Sequence, residues 1–214
     1  MRRTMARASL HTALNLLAFA LIGTAILAFT YAQTFERIAQ SVEAEKLKLI
    51  SQIVPQDMFD NDIIKDTLDI KADDLLGNEG TTTAYRARLQ SKPAVLVLEA
   101  VAPDGYSGKI SLLIAIRDNG ELAGVRVVAH KETPGLGDYI EIARSNWIKG
   151  FDGKSATQAG DWKVKKDGGQ FDYMAGATIT PRAVVKAVHK ALLYFELHHE
   201  ALFAPSEPIK GEKP

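Results

Sequence analysis

The pattern of apolar and polar positions divides the chain into stretches of different period. Residues 13–32 read ALNLLAFALIGTAILAFTYA, about 20 positions without a charge. As a helix, such a run covers about 30 Å, the thickness of a hydrocarbon core. Arg2, Arg3 and Arg7 precede it, Asn15 sits near that basic end, and Tyr31 occupies the far boundary. A cleaved signal peptide is the alternative. Its apolar region is shorter, about 7–15 residues, and ends in a small-x-small site that Tyr31-Ala32-Gln33 does not supply. The expectation is an uncleaved transmembrane anchor over residues 10–32, preceded by a short segment, 1–9. The arginines place that segment in the cytoplasm and the rest of the chain on the other side. No second apolar run of that length follows.

Beyond the anchor, Phe35, Ile38, Ala39, Val42, Leu49, Ile50 and Ile53 recur at three- and four-residue spacing. This predicts an amphipathic helix continuing from the anchor and closed by Pro55. Residues 56–80 are acidic and broken by Asn61, Gly77 and Gly80, which predicts short elements and turns. Strand patterns follow: AYRAR alternates, and residues 94–102, 109–117 and 121–130 are near-continuous β-branched and aliphatic runs. Pro103-Asp104-Gly105 and Asp118-Asn119-Gly120 carry turn chemistry, the second linking a hairpin. A helix is expected around residues 139–146 and a loop over 171–180. A second amphipathic helix is expected from Pro181 to about His198, with Val184, Val185, Val188, Ala191, Leu192 and Phe195 on its apolar stripe. The terminal PSEPIKGEKP, within residues 204–214, has the composition of a disordered tail. The fold class is α+β: a mainly antiparallel sheet with flanking helices, forming one domain over 33–203 behind a single transmembrane helix.

Charge and composition narrow the function classes. Lys+Arg and Asp+Glu are both 26, so there is no basic surplus for nucleic acid. Cysteine is absent, which excludes disulfides, cysteine-ligated iron–sulfur clusters and thioether-attached haem in this chain. His198 and His199 are adjacent near the tail and make a poor metal pair without further ligands.

Two loops carry candidate chemistry. The first is Asp172-Tyr173-Met174-Ala175-Gly176-Ala177-Thr178-Ile179-Thr180-Pro181. Thr180-Pro181 reads as an N-cap followed by a proline at the first helical position. A glycine-bearing loop entering a helix leaves free N–H groups and the positive end of the dipole at one spot, which favours a phosphate. Gly176 and Ala177 allow close approach, and the Thr178 hydroxyl lies nearby. Taken alone, these residues favour a simple capped turn over a phosphate site, since most helix starts bind only water. The second loop is His130-Lys131-Glu132-Thr133-Pro134-Gly135-Leu136-Gly137-Asp138. Its Thr-Pro-Gly and second glycine force a compact turn. Leu136 between two glycines is either a platform for a flat aromatic ligand or a core side chain under a tight connection.

Together these loops resemble the FMN-binding domain family that includes the G subunits of Rnf-type electron-transport complexes and the C subunits of sodium-pumping NADH:quinone reductases. H-K-E-T-P-G-L-G-D carries the resemblance, with Asp172 and Gly176-Ala177-Thr178, Gly105-Tyr106-x-Gly108, and Asp60-Asn61-Asp62. The match covers nearly the whole chain, and its length favours the Rnf side of the family. The family usually has Ser or Thr where this chain has Ala175. The resemblance implies FMN joined covalently through its phosphate to Thr178 as a phosphodiester, installed by a separate FAD-dependent flavin transferase. It implies further cofactor contacts from Glu132, Thr133, Pro134, Gly135, Leu136, Gly137, Asp172, Gly176, Ala177 and Thr180. Loop amides are expected to bond the ring edge, with Lys131 adding positive charge, and Asp172 to serve transferase recognition or loop order. The implied role is an electron-carrying subunit of an inner-membrane complex coupling electron flow between ferredoxin and NAD to ion transport. It would exchange electrons with neighbouring membrane subunits, and its soluble domain would be periplasmic. No catalytic residue, metal ligand or independent turnover is expected. The rival readings are an anchored module that binds a phosphate-bearing ligand reversibly and a structural subunit with a vestigial motif. A hydrolase is more distant, because no histidine neighbours Thr178 or Thr180 in sequence.

Overall fold

The computed structural model describes residues 2–157 and 162–204. The tail expected after Ala204 lies outside the described residues. Helix α1 spans Arg2–Ile53 without a break, as the two consecutive helical patterns predict. The chain divides into two compact units, Met1–Lys46 and Leu47–Pro214.

The first unit is helix alone. It is long and apolar enough to cross a membrane, with a mean hydropathy of 2.1 in its most apolar window and none of that window buried in protein. Phe19, Leu21, Leu27 and Phe29 all stand exposed. A row of large exposed apolar side chains is unstable in water and is satisfied by lipid.

The second unit is built on five strands: β1 (Thr67–Ile70), β2 (Thr82–Leu89), β3 (Lys92–Gly105), β4 (Gly108–Arg117) and β5 (Leu122–Ala129). They pair antiparallel in sequence order, a simple meander. β1 falls in the stretch read as turns. Its TLDI is too short and too polar to show a period, and its pairing with Thr82–Tyr85 supplies what local propensity lacks. β3 runs through Pro103 and Asp104, so the turn shifts to Tyr106-Ser107 between the paired Gly105 and Gly108. Those two residues are exposed strand end, where a proline removes no needed ladder bond.

Helix α2 (Ile179–Phe203) covers one face of the sheet. Its expected stripe is buried against Leu96, Leu98, Leu112 and Ile114. The other face packs against the end of α1, through Leu49, Ile50 and Ile53, and against Val54 and Ile63. Coverage on both sides explains why β3 and β4 read as continuous apolar runs. The end of α1 approaches so closely that a Cβ at Gly124 on β5 would lie 2.8 Å from Ile53 Cγ2.

No α-helix forms at residues 139–146. Single 3-10 turns, Asp138–Ile140 and Trp147–Phe151, replace it. The Ser145 hydroxyl donates to Tyr139 O at 2.7 Å and accepts from Trp147 N at 3.1 Å, local bonds that compete with a helical ladder.

The far end of α2 has no basic residue in its last turn. Its cations come from β2. The buried Arg86 donates to Ala204 O at 2.7 Å and Arg88 to Phe203 O at 3.0 Å. Asp66 holds both arginines, at 2.6 and 2.7 Å. Orphan carbonyls and the negative end of the dipole are thereby satisfied at once.

Candidate cofactor site

At the start of α2 the chain turns at Gly176, whose φ of +86° only glycine adopts without strain. Ala177 N donates to Met174 O at 3.0 Å across that turn. The helix then begins at Ile179 with Thr178 as its N-cap, two residues earlier than Thr180-Pro181 suggests. Thr178 O accepts from Arg182 N at 3.4 Å, the first helical bond. Pro181 is tolerated as the third helical residue because none of the first four N–H groups has an intrahelical acceptor. Thr180 is not free to cap: its hydroxyl donates to Glu132 Oε2. Thr178 makes no side-chain capping bond, so its hydroxyl remains available beside the helix N-terminus.

The loop leaving β5 is held from within. Glu132 N donates to His130 Nδ1 at 3.0 Å, and His130 Nε2 lies 2.6 Å from Glu141 Oε1. Gly135, at φ +76°, donates its N–H to Asp138 Oδ1 at 2.8 Å. Leu136 N and Gly137 N both donate to Thr133 O, at 3.1 and 3.0 Å. Of the loop amides expected to bond a ligand, those of Gly135, Leu136 and Gly137 already donate within the loop, as does that of Glu132, and Pro134 has none, which narrows the expectation to the Thr133 N–H. Lys131 is exposed and does not line the cavity described next.

The two loops and the β3–β4 turn enclose a cavity of about 360 Å³. Tyr106 lines it from the turn, Glu132, Thr133, Leu136 and Gly137 from the glycine loop, and Gly176 to Thr180 from the helix start. Pro134, Gly135 and Asp172 do not line it. Pro134 and Gly135 shape the loop's outer turn. Asp172 points elsewhere: its carboxylate pairs with Lys165 at 2.5 Å and its carbonyl accepts from Trp147 Nε1 at 2.7 Å. It borders a neighbouring cavity with Trp147, Lys154 and Phe171. Ala175 is exposed and outside the first cavity. Sequence reasoning missed Tyr106 and Ile179 as lining residues. The sequence signal for Tyr106 is the Gly105-Tyr106-x-Gly108 motif, part of the family resemblance, which marks a turn without assigning the tyrosine a role.

The cavity is amphipathic. Its rim carries Tyr106 at 68%, Leu136 at 47% and Ile179 at 46% exposure, large apolar groups left without protein partners. Its inner end carries the Thr178 hydroxyl and the amides of a helix start. Among the described residues no Lys, Arg or His lines it. These surfaces fit a ligand with a flat apolar part and a phosphate. The absence of a cation suits a singly charged diester better than a free phosphomonoester, which carries nearly two charges. Beneath the loop, Tyr139 Oη accepts from Met174 N at 3.4 Å. Burial pushes the Tyr139 phenol up to about 12, so it stays neutral there.

Comparison with known proteins agrees with this geometry. The FMN-binding domain family matches residues 105–193, and the family described as the RnfG N-terminal region matches residues 1–53. The G subunit of an ion-translocating oxidoreductase complex from Pseudomonas aeruginosa (strain UCBPP-PA14) is 49% identical over 96% of this chain and 97% of its own length. The corresponding G subunit from Vibrio cholerae serotype O1 (strain M66-2) is 45% identical over 93% of this chain and 96% of its own. That of Shewanella oneidensis is 42% identical over 91% and 92%. The chain belongs to the family of G subunits of ion-translocating oxidoreductase complexes, and its sheet domain is an FMN-binding domain of that family.

Proposed function

We propose that this subunit carries electrons on FMN esterified to Thr178, within a single-pass inner-membrane protein of an Rnf-type complex. The observation that carries the reading is the uncapped Thr178 hydroxyl, lining an amphipathic cavity at a helix N-terminus where no cation is present among the described residues. The Thr178 oxygen would be the ester oxygen, with an FAD-dependent flavin transferase supplying the FMN. Backbone N–H groups at the start of α2 would face the phosphate, and Tyr106, Leu136 and Ile179 would shield the ring. FMN supplies one- and two-electron exchange; the protein positions it and tunes it. Asp172, on the surface beside the cavity, would serve transferase recognition or loop order. Residues 1–9 would be cytoplasmic, 10–32 transmembrane, and 33–203 periplasmic, following the arginines ahead of the span. Neighbouring membrane subunits of the complex would be the electron partners, without substrate turnover on this chain.

The test is intact mass and visible absorption of denatured full-length chain, produced with and without the transferase, alongside Thr178→Ala. The reading expects an FMN mass increment and yellow colour that survive unfolding, need the transferase, and vanish in Thr178→Ala. Flavin that leaves on unfolding would instead indicate a reversible binding module. Colour that persists in Thr178→Ala would move the attachment elsewhere.

A further inference from the structure

We propose that Glu132 is the positioning residue of this site: its carboxylate locks the helix start carrying Thr178 to the turn carrying Tyr106, and supplies the fixed negative charge of the cavity wall. The inference rests on the reading of the cavity as a flavin site and deepens it. It gives Glu132 a role in aiming and tuning the cofactor rather than holding it.

Three segments converge on this carboxylate. Oε1 accepts from Ser107 N at 2.9 Å, in the two-residue turn between β3 and β4. Oε2 accepts from the Thr180 hydroxyl, at the α2 entry. Two glycines make the room. A Cβ at Gly105 would lie 3.0 Å from Oε1, and one at Gly137 would lie 2.9 Å from Oε2. Glu132 is 4% exposed, and a buried carboxylate is costly unless its oxygens are bonded. Both are bonded here, by neutral donors, and among the described residues no cation pairs with Glu132. The carboxylate thus joins two elements 73 positions apart, between residues 107 and 180, while its charge stays uncompensated beside the cavity. With the Thr180 hydroxyl tied to Glu132, the helix begins at Ile179 with Thr178 at the N-cap position, and the Thr178 hydroxyl makes no capping bond. Reduction adds negative charge to a bound flavin, so a fixed negative charge in its wall opposes reduction.

The experiment uses full-length chain co-produced with a flavin transferase, in detergent, and three variants: Glu132→Gln, Thr180→Val and Thr180→Ser. In Glu132→Gln the amide can accept from Ser107 N and donate to the Thr180 oxygen, so the frame survives without the charge. Flavin is expected to attach, with a more positive midpoint potential than wild type. Thr180→Val keeps the charge and loses one bond. Flavin attachment, followed by mass, is expected to slow roughly 10- to 100-fold, the loss of one hydrogen bond to a charged group expressed as a rate. Thr180→Ser is expected to restore it. An unchanged potential in Glu132→Gln overturns the charge role. Wild-type attachment rate in a Thr180→Val chain that melts normally overturns the positioning role. Flavin that leaves the wild-type chain on unfolding defeats the underlying reading instead, and the wild-type arm scores that outcome separately.

Discussion

Gly135 and Gly137 lie two residues apart in the same loop, yet they are glycine for opposite reasons, and substitution separates those reasons. Gly135 has φ +76°, and a Cβ there would meet nothing within 4 Å. Its constraint is purely the backbone, so Gly135→Ala costs about 1–2 kcal/mol for an L-residue in the left-handed region. Gly137 has φ −92°, an ordinary conformation, but a Cβ there would lie 2.9 Å from Glu132 Cβ and Oε2 and 3.0 Å from Thr180 Oγ1. Its constraint is space, and Gly137→Ala costs about 1–3 kcal/mol as overpacking. At about 2–4 °C per kcal/mol for a chain of this size, the melting midpoint falls by roughly 2–8 °C in the first case and 2–12 °C in the second. Alanine alone does not distinguish the two mechanisms. Asparagine does, because it tolerates the left-handed region but is larger than alanine. Gly135→Asn is expected to be milder than Gly135→Ala, and Gly137→Asn worse than Gly137→Ala. The assay is thermal melting of flavin-free chain in detergent, followed by tryptophan fluorescence. Both tryptophans, Trp147 and Trp162, lie in the sheet domain, and Trp147 packs on Tyr139 immediately after this loop. The same ranking of Ala and Asn at both positions would refute the reasoning.

Two further outcomes follow from buried groups. Arg86→Met removes a cation that is 1% exposed and strands the Ala204 and Thr67 carbonyls, while Asp66 retains Arg88. The loss is expected to be about 3–5 kcal/mol in denaturant unfolding, and a value under about 1 kcal/mol would contradict the capping role. Tyr139 is raised to about 12 chiefly by burial, against about 10 when unfolded. The folded state therefore keeps a proton that the unfolded state loses. Its contribution is intact below about pH 10 and is lost as pH rises from there through about 12. Phenolate absorbance should lose a late-titrating component in Tyr139→Phe, with the alkaline decline in stability reduced in that variant.

Period and turn chemistry are local, and they are legible in the sequence. The uncharged run at residues 13–32, the continuous strands β3 and β4, and the α2 stripe from Val184 to Phe195 each signal themselves through spacing that any neighbour sees. The glycine and threonine loops are visible as loops, and their resemblance to a flavin-binding family points to one site. β1 is not legible, because four residues of mixed polarity become a strand only when β2 lies alongside. Nor is the 3-10 path at residues 138–151, which depends on where Ser145 finds its partners.

The sequence by itself determined the long apolar helix, the apolar strands β3 to β5 and the body of α2, and which residue types could meet a phosphate. Tertiary structure alone decided what those residues are free to do. Thr178 rather than Thr180 occupies the N-cap position of α2, its own hydroxyl uncommitted, while Glu132, 48 positions away, holds the Thr180 hydroxyl. The C-terminus of α2 is satisfied by Arg86, 118 positions from Ala204, rather than by any cation of its own last turn. Hydrogen bonds across such separations depend on a register and a helix placement that no local window encodes, because the loop-closure entropy they cost is offset only by the whole packed core.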